Sequence, residues 1–109
     1  MDIIKSIDII VPCFNPELNW ADQVIFNFNE LQKQLPSIKF KLYIVDDASS
    51  INLQPELSKI KNRIGDSFQF ISYKENKGKG YAIRSGVKES NSDAIIYTCL
   101  LYTSPSPRD

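Results

Sequence analysis

FKLYIVDDASS, residues 40–50, passes from strand to loop in one step. Phe40 to Val45 reads as a strand, and Asp46-Asp47-Ala48-Ser49-Ser50 as the polar turn that follows it. Two carboxylates delivered together at the carboxyl end of a strand occupy the place where open parallel α/β sheets bind ligands. The segments on either side decide whether this chain builds such a sheet.

Upstream, Ile7 to Pro12 (IDIIVP) is a short β-branched run that enters the loop Cys13-Phe14-Asn15-Pro16, the signature of a fully buried strand. From Trp20 the apolar period changes: Trp20, Val24, Phe28, Leu31 and Leu35 recur every three or four residues and mark one face of a helix that Pro36 closes. Downstream, Leu57, Ile60 and Ile64 mark a second helix with Gly65 as its stop, and Phe68 to Tyr73 (FQFISY) alternates as a third strand. Asn76 to Gly80 reads as a loop, Tyr81 to Glu89 as a third helix and Ala94 to Thr98 as a fourth strand. The order is βαβαβαβ. Strands separated by helices of this length imply crossover connections and a parallel sheet, so the fold class is α/β. There is no internal repeat and no linker before Thr98.

Composition narrows the function classes. Lys+Arg and Asp+Glu both number 13, and that balance argues against bulk electrostatic binding of nucleic acid. No apolar run reaches the roughly 18 residues of a spanning helix, and the N-terminus does not read as a signal peptide. Two cysteines, Cys13 and Cys99, make neither a disulfide framework nor a metal cluster. The expected setting is reducing and cytoplasmic.

Three segments fall at strand carboxyl ends: Pro12-Cys13-Phe14-Asn15-Pro16, Asp46-Asp47 and Asn76-Lys77-Gly78-Lys79-Gly80. An aspartate there can accept hydrogen bonds from a nucleobase N–H or from ribose hydroxyls, or it can simply cap a turn. Glycines let backbone N–H groups approach phosphate and lysines add charge, but a solvated glycine loop has the same composition. The glycine segment is neither a P-loop nor the dinucleotide fingerprint, since Ile83 stands where the third small residue of the latter belongs. Cys13 has no histidine partner in a chain without histidine and reads as a small buried apolar residue. Trp20 reads as a core contact, and Arg84 with Lys88 as an exposed helix face.

Taken as an ordered set, PCFNPE (12–17), YIVDDASS (43–50), ENKGKGYAIRSG (75–86) and SDAIIYT (92–98) resemble the family 2 glycosyltransferases of the GT-A fold. The lysine-rich 76–80 segment looks closest to the dolichyl- and polyprenyl-phosphate sugar transferases. The resemblance implies that residues 1–98 are the N-terminal, nucleotide-binding half of a Rossmann-like GT-A domain. It implies a nucleotide-diphosphate sugar donor and sugar transfer with inversion to an acceptor such as a polyprenyl phosphate, a polysaccharide or a protein. Pro12, Cys13, Phe14 and Asn15 would line base and ribose. Asp46 or Asp47 would bond the base, with Asp47 the closer contact, and Asn76, Gly78, Lys79 and Gly80 would border the nucleotide and its diphosphate. It also implies Mg²⁺ or Mn²⁺ in the intact parent, held by an Asp-x-Asp motif after the fourth strand, and a downstream Asp as general base. A position at the inner face of a membrane would come through segments other than these.

At that motif's position the chain reads CLLYTSPSPRD, residues 99–109. The string matches, residue for residue, one reading frame of a transposon adapter end used in sequencing libraries. The expectation is therefore an adapter-derived or disordered tail, and no metal or catalytic residue in this chain. The fragment itself is then expected to be inactive, marginally stable and prone to associate through uncovered apolar faces. The alternative is a non-catalytic nucleotide-binding or receiver-like module. Against a receiver, the acidic pair follows the second strand instead of the first. A sugar nucleotidyltransferase would need a glycine-rich signature after the first strand, which is missing. Reading the native gene across codon 98 tests the adapter origin: an Asp-x-Asp in a continuing frame is expected, and an encoded CLLYTSPSPRD would overturn it.

Overall fold

The structure, a computed structural model, describes residues 3–97; Thr98 and the adapter-like string 99–109 lie outside the described residues. Four parallel strands form one sheet: β1 (Ser6–Cys13), β2 (Lys39–Asp46), β3 (Phe68–Ser72) and β4 (Ala94–Tyr97), in the order β3-β2-β1-β4. Three helices connect them: α1 (Trp20–Gln34), α2 (Gln54–Ile64) and α3 (Lys79–Glu89). The α/β parallel arrangement expected from the sequence is the one observed.

The two faces of the sheet are filled differently. Ile9, Val11, Cys13, Phe40, Leu42 and Ile44 point to the face covered by α1 and α2, where Trp20, Val24, Phe28, Leu57 and Ile60 meet them. Ile10, Tyr43 and Val45 point the other way, onto Ala82 of α3. Alternate residues of each central strand serve opposite faces, so a strand buried on both sides is apolar at most positions. That is why IDIIVP and FKLYIV read as near-continuous runs. The chain steps from β1 to β2 to β3 with both helices on one face, then returns across the sheet to β4 with α3 on the other. Keeping one crossover hand while reversing direction requires the change of face. The reversal lies between β1 and β4, which makes their carboxyl ends the topological switch point.

Helix ends follow local chemistry. Asn19, at φ 65, precedes α1 without a side-chain cap. Glu56 of α2 accepts instead from Ala21 N–H at 3.1 Å, placing a carboxylate at a helix N-terminus. Pro36 disfavours helical backbone at Leu35, which drops out of α1 and is half exposed. Pro55 sits in the first turn of α2, where a missing N–H costs nothing. Gly65, at φ 72, ends α2 and opens a short 3₁₀ turn, Gly65–Ser67. The third helix departs from expectation. It starts at Lys79, two residues before Tyr81, because the chain turns at Gly78 (φ 93) and Lys79 and Gly80 already belong to its first turn.

α3 lies tightly on β1 at one point. A Cβ on Gly86 would come 2.6 Å from Cγ2 and 3.0 Å from Cδ1 of Ile10, which is fully buried. Gly86→Ala is expected to destabilise the protein by about 1–3 kcal/mol, a typical cost of overpacking. In denaturant titrations the same substitution made on an Ile10→Ala background is expected to cost less, a non-additivity that identifies this contact as the cause.

Candidate functional site

The polar rim at the carboxyl ends of β1, β2 and β3 is built by hydrogen bonds that cross between loops. Asp47 N–H donates to the Cys13 carbonyl at 2.8 Å, carrying the β1–β2 pairing one step past the strands. Asn15 N–H donates to Ser49 Oγ at 2.8 Å, and Asn15 Oδ1 accepts from Ser50 N–H at 2.8 Å and Ser50 Oγ at 3.2 Å. Asn15 holds φ 43, a left-handed conformation that asparagine tolerates better than most residues. Asp46 Oδ1 accepts from Ser49 N–H at 3.0 Å, a turn closed three residues on by its own side chain.

Asp47 brings in the third loop. Its Oδ1 accepts from Lys77 N–H at 2.7 Å and its Oδ2 from Gly78 N–H at 2.9 Å. Its carbonyl accepts from Asn76 Nδ2 at 3.2 Å. The side chain is buried, 5% exposed. Burial alone would raise its pKa, but the neighbouring Tyr73 hydroxyl and the Lys77 and Gly78 N–H groups outweigh it and hold the carboxyl below its ordinary value. The Tyr73 hydroxyl approaches without completing a hydrogen bond of normal geometry, and among the described residues it is the one buried side-chain polar atom without a partner. Burial first, and then the Asp47 charge, pushes the Tyr73 hydroxyl pKa up. Its ring packs edge-on against Tyr81, with centroids 5.0 Å apart.

Cys13, 2% exposed, lies in the core as expected. Burial, helped by the Asp46 charge and opposed by a hydrogen bond involving Ser49, raises its thiol to about 12. A thiol held protonated is packing material, not a nucleophile.

The structure thus brings Cys13, Asn15, Asp46, Asp47, Asn76 and Gly78 into one rim. Pro12 is the half-buried strand residue beneath it, Phe14 is half exposed beside it, and Lys79 and Gly80 stand exposed in the first turn of α3. Trp20 is core, and Arg84 and Lys88 are exposed, as the pattern indicated. Ser49, Ser50 and Tyr73 went unrecognised in the sequence. The spacing Asp46-x-x-Ser49 is a local turn signal that points to Ser49, whereas Ser50 and Tyr73 owe their roles to contacts across the fold. A further buried carboxylate, Asp8 on β1, also carried no signal. It accepts from Ser90 Oγ, Asn91 N–H and Ser92 Oγ at 2.5, 3.2 and 2.6 Å, and so anchors the α3–β4 connection near the opposite end of the sheet.

Among the described residues no group of three or more His, Cys, Asp or Glu side chains could hold a metal ion. Asp46 and Asp47 are adjacent, yet both Asp47 oxygens and one Asp46 oxygen already accept backbone N–H groups. The described residues do not fit the Mg²⁺ or Mn²⁺ site, and the position after Thr98 lies outside them. A surface hollow of about 470 Å³ between α1 and α2, lined by residues such as Ile25, Phe26 and Arg63, takes nothing from the strand ends. No helix among the described residues is long and apolar enough to cross a membrane.

A four-stranded parallel sheet with helices on both faces and a polar rim across successive strand ends defines a Rossmann-like α/β domain. The chain belongs to glycosyl transferase family 2, whose model matches residues 8–99. It is 28% identical over 96 residues to the human protein "Dolichyl-phosphate beta-glucosyltransferase", covering 84% of this chain and 30% of that protein. It is 27% identical over 96 residues to "Poly-beta-1,6-N-acetyl-D-glucosamine synthase" of Staphylococcus aureus, covering 88% of this chain and 22% of the synthase. The chain therefore spans less than a third of the length of these relatives.

Asp47→Ala leaves the Lys77 and Gly78 donors without their acceptor and is expected to cost about 1–3 kcal/mol in denaturant titrations. The sign of the pH dependence follows from the lowered native pKa. The Asp47 contribution is complete above the unfolded value of about 3.9 and is lost as pH falls through the lower native value. Wild-type stability is expected to fall more steeply than that of Asp47→Asn over that acid interval.

Proposed function

We propose that this chain is the donor-binding part of a glycosyltransferase that uses a nucleotide-diphosphate sugar. The observation that supports the reading best is the rim itself. Three loops from successive strand ends are tied into one surface by Asn15, Asp46 and Asp47, beside the switch point where such sheets take nucleotides. The family and the two relatives supply the chemistry: one relative's name carries a lipid phosphate and the other a polysaccharide. The donor side is the common element carried to this chain. In the whole protein an acceptor oxygen displaces the nucleoside diphosphate at the anomeric carbon, inverting its configuration.

Each rim residue has a role in this reading. Pro12 and Cys13 form the floor of the base and ribose site, and the half-exposed Phe14 offers a ring to the base. Asp47 spends both carboxylate oxygens on backbone donors, so the closer base contact passes to Asp46, whose Oδ1 alone is engaged by Ser49 N–H. Asn76, Gly78, Lys79 and Gly80 border the diphosphate, where the N-terminal end of α3 and the Lys79 charge favour an anion. A receiver-like module has no observation in its favour: β1 ends in Cys13-Phe14-Asn15, without an acidic pair.

Calorimetric titration of the chain with uridine- and guanosine-diphosphate sugars tests the reading. Binding of one donor class is expected. Asp46→Asn should weaken it about tenfold or more, the scale of one lost charge-assisted hydrogen bond, while changing stability little. Equal affinity in wild type and Asp46→Asn would remove Asp46 from the site, and no binding of any donor would overturn the proposal.

A further inference from the structure

Among the described residues, the β3–α3 loop, residues 73–78, makes its hydrogen bonds to the rest of the rim through one residue. Asn76 Nδ2, Lys77 N–H and Gly78 N–H all donate to Asp47, at 3.2, 2.7 and 2.9 Å. The ion pair within the loop, Lys77 Nζ to Glu75 at 3.3 Å, is exposed and ties the loop only to itself. Such exposed pairs add little. Lys77 Nζ also lies 5.5 Å from the Tyr81 ring centroid, and Tyr81 in turn meets Tyr73 edge-on. The hydroxyl of Tyr73 is buried beside the Asp47 carboxylate and completes no hydrogen bond among the described residues. An orphaned buried hydroxyl is costly. Here the hydroxyl neighbours the one carboxylate that holds the loop.

We infer that Asp47 is the latch of the β3–α3 loop and that Tyr73 is a positioning residue for it, orienting the carboxylate toward the Lys77 and Gly78 N–H groups. Removing the hydroxyl leaves the ring packed on Tyr81 but lets the carboxylate swing. The loop then samples positions in which Asn76 and Gly78 no longer stand over the end of β2. Donor binding must restore their order, which weakens affinity without any lost contact to the ligand. This last consequence rests on the donor-binding reading above; the latch does not.

The groups facing Asp47 are Tyr73 at the end of β3, Asp46 beside it on β2, and the loop residue Lys77; Cys13 on β1 and Tyr81 on α3 lie one contact further. Asp46 is the other carboxyl in this set, so Asp46→Asn is the control that separates the two. The test follows the Lys77 and Gly78 amide proton signals of the full chain by NMR between about pH 2 and 7. In wild type and in Asp46→Asn both amides are expected to shift together with one midpoint. In Tyr73→Phe that midpoint should rise and the two amides should exchange with solvent about tenfold faster or more, with strand amides of β1 and β2 unchanged. An unmoved midpoint in Tyr73→Phe removes Tyr73 from the role. Amides insensitive to acid in wild type overturn the latch itself. A donor titration of Tyr73→Phe completes the test, with about three- to tenfold weaker binding expected. Unchanged affinity overturns the coupling to the ligand. Failure of wild type to bind any donor overturns the donor reading, while the NMR result still decides the latch.

Discussion

A single aspartate past the end of β2 reaches both neighbouring strand ends and ties the loop beyond β3 into the rim that Asn15, Ser49 and Ser50 build between the loops after β1 and β2. Asp47 donates its N–H to Cys13 on β1, and its carboxylate accepts from Lys77 and Gly78 beyond β3. Parallel strands need crossovers, so their carboxyl ends emerge into loops that share no covalent continuity. Without such a cross-tie each loop would have to satisfy its polar backbone alone or through water. A buried carboxylate that accepts two N–H bonds is far better placed to do this than a neutral side chain, because charge-assisted hydrogen bonds are roughly twice as strong. The cost of burying it is met by the neighbouring Tyr73 hydroxyl together with those same donors, which is why its pKa falls despite burial.

The sheet underneath sets where this rim can face. β1 and β2 are paired over eight positions, Ser6 to Cys13 against Lys39 to Asp46. Among the described residues β4 pairs with β1 from Ile7 opposite Ala94 to Ile10 opposite Tyr97. The full-length β1–β2 pairing brings the loops that follow Cys13 and Asp46 side by side, and there Asn15 meets Ser49 and Ser50. The close approach of Gly86 to Ile10 fixes the opposite layer, so α3 and the loop that opens it are held from both ends: by Ile10 under the helix and by Asp47 at its start.

Much of this was legible in the sequence because the signals were local and periodic. Two-sided burial made β1 and β2 apolar runs, the three- or four-residue spacing from Trp20 to Leu31 made α1, and Pro36 and Gly65 punctuated the helices. Asp46, Asp47, Asn15 and Asn76 were legible as rim residues because each follows a strand. What stayed hidden was which partner each one meets. Asn15 and Ser50 lie 35 residues apart and Asp47 and Gly78 lie 31 apart. Nothing in either neighbourhood encodes the pairing, which exists only once the strand order is set. The start of α3 was misplaced for a different reason. Gly80 reads as a loop residue by composition, but a glycine is permitted in a first helical turn, and the true break is the positive φ of Gly78.

Asp8 and Asp47 show one solution used at opposite ends of the same sheet, and the comparison separates structure from function. Asp8, fully buried on β1, gathers Ser90, Asn91 and Ser92 and fastens the entry to β4. Its donors include two hydroxyls, which have rotational freedom to meet it. Asp47 is met by two backbone N–H groups at the start of a helix, a fixed pair of donors suited to any anion. Only the second arrangement sits at strand carboxyl ends, beside exposed lysines and a half-exposed Phe14. A buried carboxylate in a strand-end rim is thus not in itself a mark of ligand contact. Here it shapes the surface, holding Asn76 and Gly78 beside the end of β2.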